Sequence, residues 1–203
     1  TQIGDIKAKE IDFDFANSSE IFWADQSNQD SAKELILNTK NANDSLGATV
    51  LTIIKGAPAG LGEVLYNKLD AALASAMMGI NGVKGVEIGD GINVATMLGS
   101  QNNDFMDKNG FKSNHCGGIL GGISNGNDIV IKSYFKPTPS IFKAQPTINL
   151  DGNEVICELR GRHDPCIGVR GSVVATAMAR LVIADMLLLN ASANLNNLKR
   201  IYQ

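Results

Sequence analysis

The densest set of chemically capable side chains is Arg160-Gly161-Arg162-His163-Asp164-Pro165-Cys166, followed by Arg170. Three arginines within eleven residues form a local positive site in a chain whose formal net charge is -3. Arginine holds phosphate or carboxylate through a fork of N–H donors, and a carboxylate beside His and Arg can act as an acid/base group. An exposed charged loop with internal ion pairs explains the same composition equally well, so both interpretations stay open here.

A second candidate is the glycine-rich run of residues 114–126, NHCGGILGGISNG. Paired glycines let a ligand approach the backbone and expose amide N–H groups, so the run can cradle a phosphate or a flavin ring. It lacks the G-x-G-x-x-G spacing and the strand-then-helix context of a dinucleotide fingerprint. A glycine-rich turn that only permits close packing is slightly favoured by spacing alone.

The third candidate is the loop of residues 136–140, which reads Lys136-Pro137-Thr138-Pro139-Ser140. A lysine at a strand end, beside a proline-stiffened loop with two hydroxyls, can hold an anion. Taken alone, a surface turn is the simpler interpretation.

No metal site is expected. Cys157, His163 and Cys166 have the spacing C-x5-H-x2-C, which matches no common zinc pattern, and a fourth ligand is not evident. With Cys116, the chain has 3 cysteines. This odd number without framework spacing favours a reducing, cytoplasmic compartment.

Composition excludes two classes of partner. Lys and Arg number 18 against 21 Asp and Glu, so there is no basic excess for a nucleic-acid backbone. The longest apolar stretch, residues 173–189, is interrupted by Arg180 and Asp185. A buried helix is therefore expected there rather than a membrane span.

The elements that must position these residues follow from periodicity. A capping box at Ser31 begins a helix over residues 31–41, and apolar residues at helical spacing predict a second over 62–80. A brief helix ends near Leu98, and the helix of residues 172–189 is apolar all round and should be central. Strands are predicted over residues 3–9, 11–15, 48–55, 82–89 and 128–135, with a hairpin of 147–150 and 154–158.

Two segments are predicted to lack regular structure. Residues 99–110 are polar and aperiodic and read as a mobile loop, and the tail after Asn190 is expected to be frayed or loosely docked. Helices and strands alternate irregularly, which favours an α+β fold with antiparallel sheet. No linker divides the chain, so residues 1–203 are expected to form a single domain.

Taken together, these segments resemble the chorismate synthase family. The resemblance runs through residues 56–63, 80–91, 113–124, 136–138 and 161–166, and the order and length of these matches make chance an inadequate explanation. It extends over nearly the whole chain and corresponds to the C-terminal half of the family. The fold it implies is a β-α-β sandwich with antiparallel sheets around a buried helical core, assembled as a homotetramer.

The chemistry implied by the resemblance is the conversion of 5-enolpyruvylshikimate 3-phosphate to chorismate by an anti-1,4-elimination. Phosphate leaves from C3 and a hydrogen from C6, and reduced FMN is required although the reaction is redox-neutral. Such a step needs a dry site, cations on phosphate and placed acid/base groups.

The resemblance also implies roles for individual residues. Asp164 is the catalytic acid/base residue, and Arg162 and Asn114 contact the substrate. The implied FMN site is Asn81, Gly82, Gly121, Lys136, Pro137, Thr138, Pro139, Ser140 and Arg162. His115 and His163 receive no assigned role.

One departure from the family pattern matters. The two family histidines and the Ser-Ala-Arg flavin motif belong to the N-terminal half and are absent from this sequence. We therefore expect these 203 residues alone to be inactive. The alternative functions are a non-catalytic FMN- or phosphate-binding module and an oligomerisation module.

Overall fold

A computed structural model describes residues 1–202 and has mixed helices and strands. The helices are α1 Phe13–Ser18, α2 Gln29–Asn41, α3 Leu69–Met78, α4 Gly99–Asn102, α5 Ile167–Ser192 and α6 Leu195–Tyr202, with 3-10 turns at Gln26–Asn28 and Gly91–Thr96. The strands are β1 Gln2–Ile3, β2 Ile6–Lys7, β3 Ala48–Ile54, β4 Val83–Ile88, β5 Met106–Asp107, β6 Gly110–Phe111, β7 Ile119–Leu120, β8 Ile123–Ser124, β9 Ile129–Phe135, β10 Gln145–Ile148 and β11 Glu154–Cys157. The predicted α+β class with antiparallel pairing is confirmed.

The chain divides into two compact units, each made of two stretches of sequence. The first comprises Thr1–Val50 and Tyr134–Gly171, and the second comprises Leu51–Ser133 and Ser172–Gln203. The strand order in the five-stranded sheet is β2-β1-β3-β9-β4. The expectation of a single domain stays a prediction.

The first unit is organised around β1 and the helix α2. β1 pairs antiparallel with both β2 and β3, with Ile3 opposite Ile6 on one side and Ala48 on the other. Ile3, Ala32, Ala48, Trp23 and Cys166 form a buried cluster. Burying apolar side chains on one face of α2 is what holds this helix against the strands. Cys166 acts as a small packing residue here, since only 4% of it is exposed.

The second unit has α3 as its central helix. Leu69, Leu73 and Met77 recur every four residues and are fully buried, as are Ile129 and Ile131 of β9. The helix begins at Leu69 rather than near residue 62, because the Leu69 N–H donates to the Gly122 carbonyl and the preceding residues form a separate turn.

Two expectations about local structure are wrong, and the tail has a helix that was not predicted. Residues 11–15 alternate like a strand, but the Asp12 carboxylate accepts hydrogen bonds from the N–H groups of Asp14 and Phe15 and starts α1. Residues 99–110 contain α4 and the β5–β6 hairpin rather than irregular chain. The tail after Asn190 contains α6.

Helix α5 is longer than predicted and less buried. Ala175, Ala179 and Met186 form its buried line, whereas Leu181 and Leu188 are 65% and 72% exposed. Only 17% of its most apolar window, of mean hydropathy 1.9, is buried, so the expectation of a fully buried helix is wrong. By length and composition α5 matches a membrane span, a test that core helices of soluble proteins also pass.

Candidate functional site

A cavity of about 520 Å³ lies in the first unit, a volume typical of small-molecule sites. One wall is the helix α2, which contributes Lys33, Ile36, Leu37 and Lys40. These positions recur at the three- and four-residue spacing of one helical face. The other wall consists of Ile21, Phe142 and residues 161–165. Residues 161–165 of this segment therefore line a cavity, and their role in a ligand site stays a prediction.

Cations outnumber carboxylates in this cavity. Lys33, Lys40 and Arg162 line it, against the single carboxylate of Asp164. Lys33 also pairs with the exposed Glu20 at 2.9 Å. Since the whole chain carries a formal charge of -3, this concentration of positive charge suits an anionic ligand.

Asp164 has a defined counter-ion. Its Oδ1 lies 3.5 Å from Nη2 of Arg170, which belongs to the first turn of α5. Among the residues that the structure describes, Arg162 makes no ion pair and lines the cavity. Arg162 is thus available to an incoming anion, while Arg170 fixes the carboxylate.

The ring of His163 hydrogen-bonds to none of the residues that the structure describes, and it packs against an aromatic neighbour instead. Its ring meets Phe142 edge-on, with centroids 5.2 Å apart and planes at 64°. Edge-to-face pairs of this kind stabilise a fixed ring orientation. The contact assigns His163 a structural role in the cavity wall.

The 136–140 loop lies close to the 160–166 segment through shared neighbours in the first unit. The Ser45 hydroxyl donates to the Thr138 carbonyl at 2.7 Å, and the adjacent Leu46 N–H donates to the Pro165 carbonyl at 2.7 Å. Two of the three predicted segments therefore meet the same turn. Sequence reasoning missed Ser45 and Leu46, because nothing local marks a contact across so many residues.

The glycine run of residues 114–126 lies in the second unit. Its surroundings test whether it is a ligand cradle or a turn that permits close packing. A Cβ on Gly117 would lie 2.4 Å from the Gly89 nitrogen, and a Cβ on Gly122 would lie 2.7 Å from the Glu63 carbonyl oxygen. These glycines permit close backbone packing, as a structural turn requires. Gly121 differs, since a Cβ there would meet nothing within 4 Å. It is a predicted FMN residue with an open approach to its backbone.

Asn81 and Gly82 lie at the opposite end of α3 from Gly121 and Gly122. They follow the C-terminus of that helix, whereas Gly122 accepts a hydrogen bond from Leu69 at its start. A helix of 10 residues is about 15 Å long. Their predicted joint contact with one flavin therefore requires an extended ligand.

The Asn114 side chain is engaged with the backbone. Its Oδ1 accepts from the Gly118 N–H at 2.8 Å, and its Nδ2 donates to the Asp128 carbonyl at 2.7 Å. This shapes the glycine run. A substrate contact for Asn114 stays a prediction.

His115 belongs to a polar network that the sequence did not reveal. Its Nδ1 lies 2.6 Å from Oδ2 of Asp90. Asp104 accepts hydrogen bonds from the N–H groups of His115 and Cys116 and from the Ser113 hydroxyl. Partial burial acts to raise the pKa of Asp104, but these hydrogen bonds and one from the Cys116 thiol outweigh it and hold that pKa well below its usual range.

Cys116 is held as a thiol. Burial raises its pKa, and the hydrogen bond to Asp104 raises it further. A thiol rather than a thiolate is a poor nucleophile, and Cys116 itself is only partly buried. The described residues contain no group of three or more His, Cys, Asp and Glu that could hold a metal ion.

The fold is that of an α+β protein, and its first unit contains a cavity lined by cationic and apolar side chains. The sequence profile of the family described as chorismate synthase matches residues 1–188. The chain belongs to the chorismate synthase family.

Individual relatives agree with this assignment. The chain is 73% identical over 200 residues to a chorismate synthase of Campylobacter fetus subsp. fetus, covering 98% of this chain and 56% of that protein. It is 60% identical over 202 residues to one of Campylobacter jejuni subsp. jejuni, covering 100% of this chain and 56% of that protein. A crystal structure of chorismate synthase superposes with a TM-score of 0.74 at 28% identity, covering 92% of this chain and 55% of that one. The chain thus spans about half the length of these relatives.

Proposed function

We propose that the protein containing this chain is a lyase that converts 5-enolpyruvylshikimate 3-phosphate to chorismate and phosphate in the shikimate pathway. The observation that carries the proposal is the cavity in which Arg162 and Asp164 lie together with additional cations. Family membership supplies the reaction. The cavity supports it because the substrate is a phosphorylated anion.

Arg162 binds the substrate phosphate or carboxylate in this proposal. Its guanidinium has no internal ion pair among the described residues, so no counter-ion must be displaced. Lys33 and Lys40 add positive charge on the α2 wall. Together these groups neutralise the departing phosphate and stabilise it as charge develops.

Asp164 moves the proton. Arg170 approaches its Oδ1, which leaves Oδ2 to accept or release a proton at the reacting centre. Pro165 follows directly and restricts the backbone, so the carboxylate is presented from a defined position. Ile36, Leu37 and Phe142 add apolar side chains to the same cavity.

The residues present fit reduced FMN. The Thr138 hydroxyl is buried and has no hydrogen-bond partner among the described residues, so it can serve a ligand. Gly121, in the second unit, has open space at its backbone. In the first unit, Lys136, Pro137, Pro139, Ser140 and Arg162 are the other residues proposed to hold it, while Asn81, Gly82 and Gly121 of the second unit stay predictions from the family resemblance. The chemistry that these residues would hold in place is that of reduced FMN, which would supply electron density for loss of the phosphate and recover it.

The functional unit proposed is a cytoplasmic homotetramer. Exposed leucines on α5 support association, and three free cysteines support a reducing compartment. The partner is the small-molecule substrate, without nucleic acid or membrane.

The test is turnover by the full-length protein under anaerobic conditions with reduced FMN, followed by chorismate absorbance and phosphate release. Asp164→Asn should keep FMN and substrate binding and lose most turnover. Asp151→Asn, in the exposed turn between β10 and β11, is the control and should behave like wild type. A wild-type protein that binds FMN without forming chorismate would favour a non-catalytic binding module instead.

A further inference from the structure

Residues 43–46, here the 43–46 turn, leave the end of α2 in a fixed conformation. The N–H groups of Asn43 and Asp44 donate to the carbonyls of Lys40 and Thr39, each at 3.0 Å. Asn43 has a φ of 58°, a left-handed conformation in which asparagine is one of the better-tolerated residues. The position of the turn is therefore set by the helix before it.

The 43–46 turn makes three contacts with the chain around the 136–140 loop. Ser45 Oγ donates to the Thr138 carbonyl at 2.7 Å, and the Phe142 N–H donates to the Asn43 carbonyl at 3.2 Å. Lys143 Nζ lies 2.5 Å from Oδ2 of Asp44. A side-chain hydrogen bond, a backbone hydrogen bond and an ion pair thus fix this loop at three points.

The same turn holds the 160–166 segment. The Leu46 N–H donates to the Pro165 carbonyl at 2.7 Å, next in sequence to Asp164. His163 meets Phe142, whose own N–H is bound by the turn. The loop that carries Lys136 and the segment that carries Asp164 therefore share one anchor.

We propose that the 43–46 turn is the positioning element that sets the 136–140 loop and the 160–166 segment relative to each other, with Ser45 as its positioning residue. The inference rests on the proposed function for its catalytic consequence. Acid/base and anion-holding groups on separate loops act together only when they are held within a fraction of an ångström, and small displacements cost activity steeply. Ser45 acts through Thr138, to whose carbonyl its hydroxyl donates.

Ser45→Ala in the full-length protein removes the bond to the Thr138 carbonyl. We expect kcat to fall on the order of tenfold and FMN to bind more weakly, because the loop loses one of its three anchors. Ser45→Thr keeps a hydroxyl and should restore both. Ser18→Ala is the matched control, since Ser18 Oγ also donates to a backbone carbonyl, that of Phe15 at 2.8 Å, but remote from the turn.

Hydrogen exchange provides a readout that does not depend on activity. In Ser45→Ala, residues 138–142 and residues 161–165 should both exchange faster, while Ser18→Ala leaves both unchanged. Increased exchange in only one of these segments, or in neither, overturns the proposal even if the full-length protein makes no chorismate. Faster exchange in both, with unchanged kcat and FMN affinity in an active enzyme, overturns the catalytic consequence and leaves the proposed lyase function intact.

Discussion

Gly117 and Gly121 allow a quantitative test of why the glycine run exists. Their φ values are 64° and 61°, so an alanine at either position suffers nearly the same left-handed strain. Their surroundings differ completely. A Cβ on Gly117 would lie 2.4 Å from the Gly89 nitrogen and 2.6 Å from the Gly89 Cα, whereas a Cβ on Gly121 meets no atom within 4 Å.

The expected cost follows from these contacts. Left-handed strain alone costs about 1–2 kcal/mol and should be all that Gly121→Ala loses. At Gly117 the neighbouring backbone must also move. That motion weakens the hydrogen bonds from the Gly89 N–H to the Val130 carbonyl, at 3.0 Å, and from the Val130 N–H to the Gly117 carbonyl, at 3.2 Å. At about 1 kcal/mol each, with some overlap strain, Gly117→Ala should lose about 2–3 kcal/mol more than Gly121→Ala.

Urea unfolding of the two variants beside wild type measures this difference. With a slope near 2 kcal/mol/M, the midpoints should differ by about 1 M or slightly more. Equal midpoints with equal slopes would refute the close-packing explanation for Gly117. FMN titration of the same variants tests the ligand role of Gly121. Gly121→Ala should weaken FMN binding, although it should be more stable than Gly117→Ala.

Four further outcomes are expected. The Ser27 hydroxyl, together with backbone N–H groups, lowers the pKa of Asp25 from 3.8 to about 2. Its contribution to stability is therefore present above pH 3.8 and is lost as the pH falls towards 2, and Asp25→Asn should show a smaller loss of stability in urea unfolding across that window. Lys40→Gln should raise KM for the phosphorylated substrate about threefold without lowering kcat, while Lys84→Gln, an exposed control on β4, changes neither. The 203 residues alone should form no chorismate when reduced FMN and substrate are supplied. Sedimentation should show them self-associating, and Leu188→Glu should increase the monomer fraction, because Leu188 is 72% exposed.

Elements with strong local signals were predicted well. Helix α2 ends at Asn41 as expected, and the β10–β11 hairpin forms around the turn containing Gly152. Capping, periodicity and turn residues are local information, which a sequence displays directly. The prediction for α1 was wrong although its signals are local too. Residues 11–14 alternate like a strand, while Asp12 is also a strong helix cap. Two local signals conflicted, and tertiary context decided between them.

Exposure of α5 could not be predicted from composition. An all-apolar helix indicates burial, but burial depends on which other chain segments cover it. Here one line of side chains at Ala175, Ala179 and Met186 is covered and the leucine faces are open. The chain spans about half the length of its relatives. Within the described residues, no segment covers the leucine faces of α5, although their composition is that of a buried helix.

The charged residues of the candidate site could be predicted from the sequence, but the distant residues that hold them in place could not. Arg162 and Asp164 were identified because charged residues cluster along the sequence, and the structure places both in one cavity. Ser45 and Thr138 are 93 residues apart, and no periodicity or spacing connects them. Lys33 and Lys40 were also missed, because on a helix surface they are indistinguishable from ordinary solvated charges.

The three arginines of the 160–170 region, which look alike in sequence, have different roles once their neighbours are known. Arg170 is committed to Asp164 from the first turn of α5, a position fixed by the helix itself. Arg160 is exposed and does not line the cavity, whereas Arg162 lines it without an internal partner among the described residues. An acid/base carboxylate needs a fixed neighbour, and an anion needs an uncommitted one. If a single arginine did both, substrate binding would withdraw the charge that holds Asp164. In the proposed mechanism, Arg170 pairs with Asp164 and Arg162 receives the anion, so the anion would bind without releasing the carboxylate.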